Sequence, residues 1–190
     1  MEVYQGSGIC LDARPQSGSE RDRDRALTAL FLDHYDHLRR TAYVMLGDGA
    51  LAEEVVMDTF AKALSRWGLV RRAEHPPAYL RQMVVNLCRS KIRRTVLERK
   101  VGETFKKEAE ADLRTPSEIP AVDHEVWNAV RKLPGRQRAC IVLRYLDDLS
   151  EPEIAEILDC PVGTVKSQLS RARRKLGEWL GPSIYFEEGT

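Results

Sequence analysis

Between Val162 and Leu180 the chain carries Thr164, Lys166, Ser167, Gln168, Ser170, Arg171, Arg173, Arg174 and Lys175, with no acid before Glu178. Hydroxyl, amide, ammonium and guanidinium groups at this density are hydrogen-bond donors. They suit contacts to phosphates and base edges in a duplex groove. The stretch just before, Asp147 to Asp159, is the reverse: five further acids or capping residues and no base. One acidic helix packed on one basic helix leaves a single surface suited to phosphate. That order, with a tight turn between, predicts a helix-turn-helix DNA reader. The plainer alternative is a solvated basic helix on an ordinary helical hairpin; the segregation of charge weighs against it.

Other groups could in principle do covalent or metal chemistry. Glu53, Glu54 and Asp58 place carboxylates together, but no His, Lys or metal cluster accompanies them in sequence, so acid–base catalysis is not expected. A face that docks on a partner protein suits them better. His34 and His37 stand at i, i+3 without a third ligand, which predicts a solvated or half-buried pair instead of a metal site. Cys10, Cys88, Cys140 and Cys160 are widely spaced and contain no Cys-x-x-Cys. Buried thiols in a reducing cytoplasm are the simple expectation. The chain is thus expected to be no enzyme, with no catalytic residue, metal or cofactor.

A second basic region precedes the first. From Arg66 to Lys100 the cations Arg66, Arg71, Arg72, Arg81, Arg89, Lys91, Arg93, Arg94, Arg99 and Lys100 face only Glu74 and Glu98. A loop from Gly68 to Pro77 holds Arg71, Arg72 and His75. The helix that Pro76-Pro77 opens carries Tyr79, Arg81, Gln82, Asn86, Arg89, Ser90, Arg93 and Arg94 on one face. Aromatic, amide and guanidinium groups together suit unstacked bases better than a closed duplex. The total charge of +1 hides these patches.

Helices must position all of these groups. Apolar residues recur at helical spacing throughout, and Pro and Gly gather at segment ends, so an all-α protein is expected. The length of 190 residues allows two small helical domains. A tail of residues 1–24 lacks apolar periodicity. Helices follow over about 24–46, with Leu27, Leu30, Phe31, Leu38, Ala42 and Met45 inward, and over about 50–67, with Leu51, Val55, Phe60, Leu64 and Trp67 inward. The third runs to about Glu98, with Leu80, Val84, Leu87, Ile92 and the stem of Lys91 inward. Residues 99–121 are charged and Pro-bearing and predict a flexible linker. The second domain, residues 122–182, starts with helices around Val126–Leu133 and Arg138–Leu146. In the helix-turn-helix, Ser150 and Glu153 make a capping-box pair and Pro152 sits in the first turn. Ile154, Ala155, Ile157 and Leu158 face Val165, Leu169, Ala172 and Leu176. Residues 183–190 form a tail. No signal peptide or membrane-length apolar run is present, which predicts a cytoplasmic protein without a membrane partner.

With both halves laid out, the chain resembles the sigma-70 family, in particular its small extracytoplasmic-function group. Leu133-Pro-Gly-Arg-Gln-Arg-Ala-Cys-Ile-Val-Leu-Arg-Tyr, Leu149-Ser-Glu-Pro-Glu-Ile-Ala-Glu-Ile-Leu and Val162-Gly-Thr-Val-Lys-Ser look like region 4 of that group. Ala52-Glu-Glu-Val-Val-Met-Asp-Thr-Phe and Pro77-Ala-Tyr-Leu-Arg-Gln-Met-Val-Val-Asn-Leu look like region 2. The resemblance implies a factor that binds core RNA polymerase at its clamp and flap and directs it to promoters. It implies that Thr164, Lys166, Ser167, Ser170, Arg171 and Arg174 read the −35 duplex. It implies that Arg71, Arg72, His75, Tyr79, Gln82, Asn86, Arg89 and Ser90 act on the −10 element and its non-template single strand. Glu54 and Asp58 correspond to the polymerase-binding helix. Relatives are often held inactive by an anti-sigma factor, and the resemblance leaves such a partner open. Gln168 stands where Arg is usual, Asp159 where the turn usually has Gly, and Met57-Asp58 where Gln-Glu is usual. A stand-alone helix-turn-helix activator is the competing reading; the Arg- and Asn-bearing third helix argues against it.

Overall fold

The computed structural model describes residues 18–101 and 123–181, with side chains over 20–97 and 125–181. Most of the expected terminal tails and linker lies outside the described residues. All regular structure among the described residues is helical. The N-terminal unit holds α1 (Gly18–Leu46), α2 (Gly49–Ser65), the single turn α3 (Trp67–Val70) and α4 (Pro76–Val101). The C-terminal unit holds α5 (Asp123–Lys132), α6 (Gly135–Tyr145), α7 (Glu151–Leu158) and α8 (Val162–Leu180).

The turns follow from local chemistry. Gly47 ends α1 at φ 78°, where a residue without Cβ is favoured. Asp48 caps α2 by accepting from the Leu51 N–H at 2.9 Å. The expected capping box is present. The Ser150 N–H and hydroxyl donate to Glu153 Oε2 at 2.8 and 2.6 Å, and the Ser150 oxygen accepts from the Glu153 N–H at 3.5 Å. These bonds hold the Glu153 carboxyl below its usual range, the side-chain bond first and the backbone bond second. Asp159 closes α7 at φ 48°, ψ 62°, the left-handed geometry that the turn demands and that Asp tolerates less easily than Gly.

The helical stripes pack largely as expected, with one correction. Leu51 and Leu64 were expected inward on α2 but are exposed, at 38% and 41%. Val55 and Phe60 are buried as expected, and Ala52, Val56, Thr59 and Ala63 fill the rest of the inward face. The small residues let α2 approach α1 and α4 closely, so the larger leucines turn outward. The loop after α2 also differs: its first part forms α3, which buries Val70. Helix α1 begins at Gly18, earlier than the apolar stripe alone indicates, through polar residues that need no buried face.

The two units do not stand apart. Helix α4 lies against α6 and α7, and α1 against α5 and α6. The buried apolar residues of both units form one continuous cluster. Polar groups finish the seam. Arg138 of α6 donates to the carbonyl of Met45 in the last turn of α1, a carbonyl that α1 itself cannot satisfy. Its guanidinium also donates to the carbonyls of Arg131 and Leu133, and burial pulls its pKa down to about 10, with Arg131 adding to the shift. Arg131 lies over the Tyr43 ring at 5.5 Å.

The left-handed Asp159 gives a stability test. Asp159→Gly should stabilise the fold by about 1 kcal/mol, read as a higher denaturant midpoint at unchanged slope. Ser150→Ala should destabilise by about 1 kcal/mol near neutral pH. Because the Glu153 carboxyl is lowered by Ser150, the wild-type advantage is fully present above the ordinary carboxylate range and fades as pH falls through the lowered value. Urea titrations of both proteins across that acid range check the convergence.

Candidate nucleic-acid interface

Helix α8 is the more exposed of two surfaces that could meet nucleic acid. Val165, Leu169, Ala172 and Leu176 are fully buried against α6 and α7. That fixes the helix's rotation and turns Lys166, Ser170, Arg171 and Arg174 outward to solvent. Thr164 and Ser167 are half-buried, and the Ser167 hydroxyl donates to the Thr164 carbonyl at 2.8 Å. Two of the cations have surface partners: Lys166 with Glu151 at 3.8 Å and Arg174 with Glu178 at 3.9 Å. Exposed pairs of that length are weak and readily exchanged for a phosphate. Arg171 and Ser170 are among the exposed residues of the same face. Pro161 starts α8 at φ −60°, so the turn delivers the helix N-terminus at the surface.

The second surface is α4 with the loop before it. Arg71, Arg72, His75, Asn86 and Ser90 are exposed, while Tyr79, Gln82 and Arg89 are half-buried. Arg89 donates to Asn86 Oδ1 at 3.3 Å. Burial, with Arg136 and Arg93 nearby, lowers the Arg89 pKa. His75, Tyr79 and Gln82 line an open cleft whose far wall is Glu156 and Ile157 of α7. Of the sequence-based set, Tyr79, Gln82 and Arg89 turn toward the C-terminal unit, while Asn86 between them stays exposed.

On α2, Glu54 and Asp58 are exposed beside Met57, which is 51% exposed. Glu54 pairs with Lys91 of α4 at 2.9 Å. Lys91 is half-buried, and its ammonium reaches across to α2. No group of three potential metal ligands occurs among the described residues. His37 is half-buried and sits 3.0 Å from Asp147 Oδ1. Cys88 and Cys140 are buried thiols pushed up to about 12, mainly by burial. No described helix is long and apolar enough to cross a membrane.

Comparison with known proteins matches this geometry to one family. The family model for Sigma-70 region 2 matches residues 30–97, and that for Sigma-70 region 4 matches residues 123–176. The ECF RNA polymerase sigma factor SigW of Bacillus subtilis is 32% identical over 173 residues, covering 83% of this chain and 90% of the relative. The chain belongs to the sigma-70 family. It is an RNA polymerase sigma factor of the extracytoplasmic-function group, which directs transcription initiation. The ECF RNA polymerase sigma-E factor of Escherichia coli K12 is 48% identical over 59 residues, 31% of each chain. Among solved structures, the sigma factor RpoE from Bartonella quintana, in complex with the anti-sigma factor NepR, aligns at a TM-score of 0.66 and 26% identity. It covers 86% of this sigma factor and 99% of that chain.

Sequence reasoning missed three residues on the seam of this sigma factor: Thr41, Arg138 and Asp147. Only Asp147 stood out, as one acid in an acidic run. Its burial depends on α1 and α4, which are distant in the chain, so no local pattern could reveal it.

The exposed α8 cations yield a salt test. Arg174→Ala should weaken binding to duplex DNA. It should also make the slope of log K against log salt shallower by about one. Fluorescence anisotropy across a salt series measures both quantities.

Proposed function

We propose that this sigma factor divides promoter recognition between its two units. Thr164, Lys166, Ser167, Ser170, Arg171 and Arg174 of α8 read the −35 duplex in the major groove. Arg71, Arg72 and His75 of the loop, with Tyr79, Gln82, Asn86, Arg89 and Ser90 of α4, take up the melted −10 strand. Glu54 and Asp58 on α2 contact core polymerase. The observation that carries the reading is the rotation of α8: its four buried apolar residues leave Lys166, Ser170, Arg171 and Arg174 exposed on a helix whose second-helix position in the motif is that of a groove reader.

The mechanism is recognition, with no covalent step by this chain. Phosphate contacts set register and give salt-dependent affinity. Contacts from α8 to base edges select the duplex sequence. Opening the −10 element loses stacking at each step, and capture of an extruded base by a protein pocket offsets part of that loss. Tyr79 offers a ring for stacking, Asn86 and Gln82 offer amides for base edges, and Arg89 offers charge. The outward Met57 and Leu51 beside Glu54 and Asp58 supply an apolar centre with an acidic rim, a composition suited to a protein partner. An anti-sigma factor is a further partner, by analogy with the Bartonella relative solved in such a complex. The site of action is the cytoplasm, where core polymerase and promoters are.

Reconstitution with core polymerase, followed by transcript-start mapping, tests the whole reading: added protein should create new, sequence-related start sites. Arg171→Ala should weaken −35-dependent initiation by about 1–3 kcal/mol if its contact is to a base. Equal loss on a template with a scrambled −35 element would show that Arg171 is no base reader. Asn86→Ala should impair strand opening more than duplex binding. Permanganate reactivity of the −10 thymines checks this, and unchanged reactivity would remove Asn86 from the −10 site.

A further inference from the structure

Two thiols meet at the helix-turn-helix. Cys140 lies on the inner face of α6 and is 1% exposed. Cys160 is the second residue after α7 and directly precedes the Pro161 that starts α8. It is half-buried and packs against the apolar core. Both line one narrow cleft, together with Arg89, Arg136, Thr164 and Gln168. The cleft holds about 10 Å³, room for about one water molecule. Burial pushes the Cys140 thiol up to about 12, and Cys160 is near enough to add to that push. Both cysteines belong to the C-terminal unit, where α6 packs directly on α7 and α8.

Cys160 also lines a wider, open groove of about 480 Å³, formed with Pro152, Ala155, Glu156, Asp159, Pro161 and Val162. It thus stands between a groove that admits small solutes and a cleft that touches Cys140. Its backbone is held, because its N–H donates to the Ala155 carbonyl at 3.1 Å. Rotation of the side chain is then what carries its sulfur between groove and cleft. The two thiols are unequal. Cys140, buried and protonated at neutral pH, is the poorer first nucleophile. The residues that line the cleft include two guanidinium groups and no acid, so charge on a departing oxygen is met by cations.

We propose that Cys140 and Cys160 form a site of oxidative modification, a dithiol that hydrogen peroxide converts to a disulfide, with Cys160 attacking first and Cys140 resolving. The Cys160 sulfur attacks one peroxide oxygen. The O–O bond breaks, an S–O bond forms, and the other oxygen leaves as water with the thiol proton. The Cys140 sulfur then attacks the Cys160 sulfur. The S–O bond breaks, the S–S bond forms, and the hydroxyl leaves as water with the Cys140 proton. The pair loses two electrons, and one peroxide becomes two waters. A small thiol reverses the change by exchange. Cys88 is the internal comparison: it is equally buried, its thiol is likewise pushed up to about 12, and it does not line this cleft.

A disulfide holds its two Cβ atoms about 3.8 Å apart. The bond ties the turn ahead of α8 to α6 and closes the cleft that Thr164 and Gln168 share. The first turn of α8, with Thr164 and Lys166, is thereby re-aimed. That consequence rests on the reading of α8 as the −35 helix; the disulfide itself does not.

The full chain, treated with a small excess of hydrogen peroxide, unfolded in an alkylating agent and digested without reduction, tests the pair. Mass spectrometry should find the Cys140 peptide joined to the Cys160 peptide, and Cys88 alkylated. Dithiothreitol before alkylation should abolish the link. Oxidised protein, freed of peroxide and added to core polymerase, should give at least about fivefold less −35-dependent run-off transcript, the lower end of one lost base contact. Protein reduced again beforehand should recover, and Cys160→Ser protein taken through the same cycle should not change. A map with Cys140 alkylated, or with Cys160 joined elsewhere, would overturn the site. The expected link with undiminished transcription would overturn its coupling to α8. If reduced protein initiates equally on matched and −35-scrambled templates, the α8 assignment fails and the coupling with it, while the peptide map alone still decides the disulfide.

Discussion

A carboxylate withdrawn from water must find its stabilisation in the protein. Asp147 finds it from His37, Thr41 and Arg81, and that requirement ties together elements far apart in sequence. His37 and Thr41 lie one turn apart on α1, so both reach the same oxygen. Arg81 lies on α4, and the three can converge only if α1 and α4 pack at a fixed register. The connection between α6 and α7 must then enter the groove between them. The apolar cluster around Leu38, Leu80, Leu143 and Ile154 supplies most of the burial energy, but apolar contacts alone tolerate sliding. The buried pair and the Arg138 bonds to carbonyls of Met45, Arg131 and Leu133 specify one arrangement.

Within each unit, orientation of the functional groups comes from small residues and caps. Ala52, Ala63 and Thr59 bring α2 against its neighbours and turn Glu54, Met57 and Asp58 outward. The Ser150–Glu153 box and the left-handed Asp159 fix where α7 starts and stops. They thereby set the angle at which α8 leaves the turn. Four buried side chains on α8 then determine which of its polar residues meet solvent. The recognition surface is thus a consequence of packing on the opposite face.

The same packing gives the proposed −10 strip a divided character. Its ends, Arg71, Arg72 and His75 on one side and Ser90 on the other, are open. Between them, Tyr79, Gln82 and Arg89 are half-buried against the C-terminal unit, while Asn86 is exposed. Groups suited to capture bases are therefore also suited to hold the units together, because amides and guanidinium groups bond equally well to a backbone carbonyl or a base edge. Competition between those two uses is built into the chemistry of the side chains.

Much was legible in the order of residues alone. The helix-turn-helix followed from a capping box, a turn with Asp and Pro, and apolar spacing on both sides, all of which are contacts within a few residues. The two family motifs and their order followed for the same reason. The outward turn of Leu51 and Leu64 was not legible, because two apolar stripes compete on α2 and only its neighbours select the one with small residues. The pairing of Lys91 with Glu54 and the burial of Asp147 likewise depend on partners distant in the chain. Sequence determined the helices, their caps and the chemistry each face carries, since those arise from local hydrogen bonds and periodicity. Tertiary structure decided which faces are covered and that the two units close on one another, since burial is a property of what packs alongside.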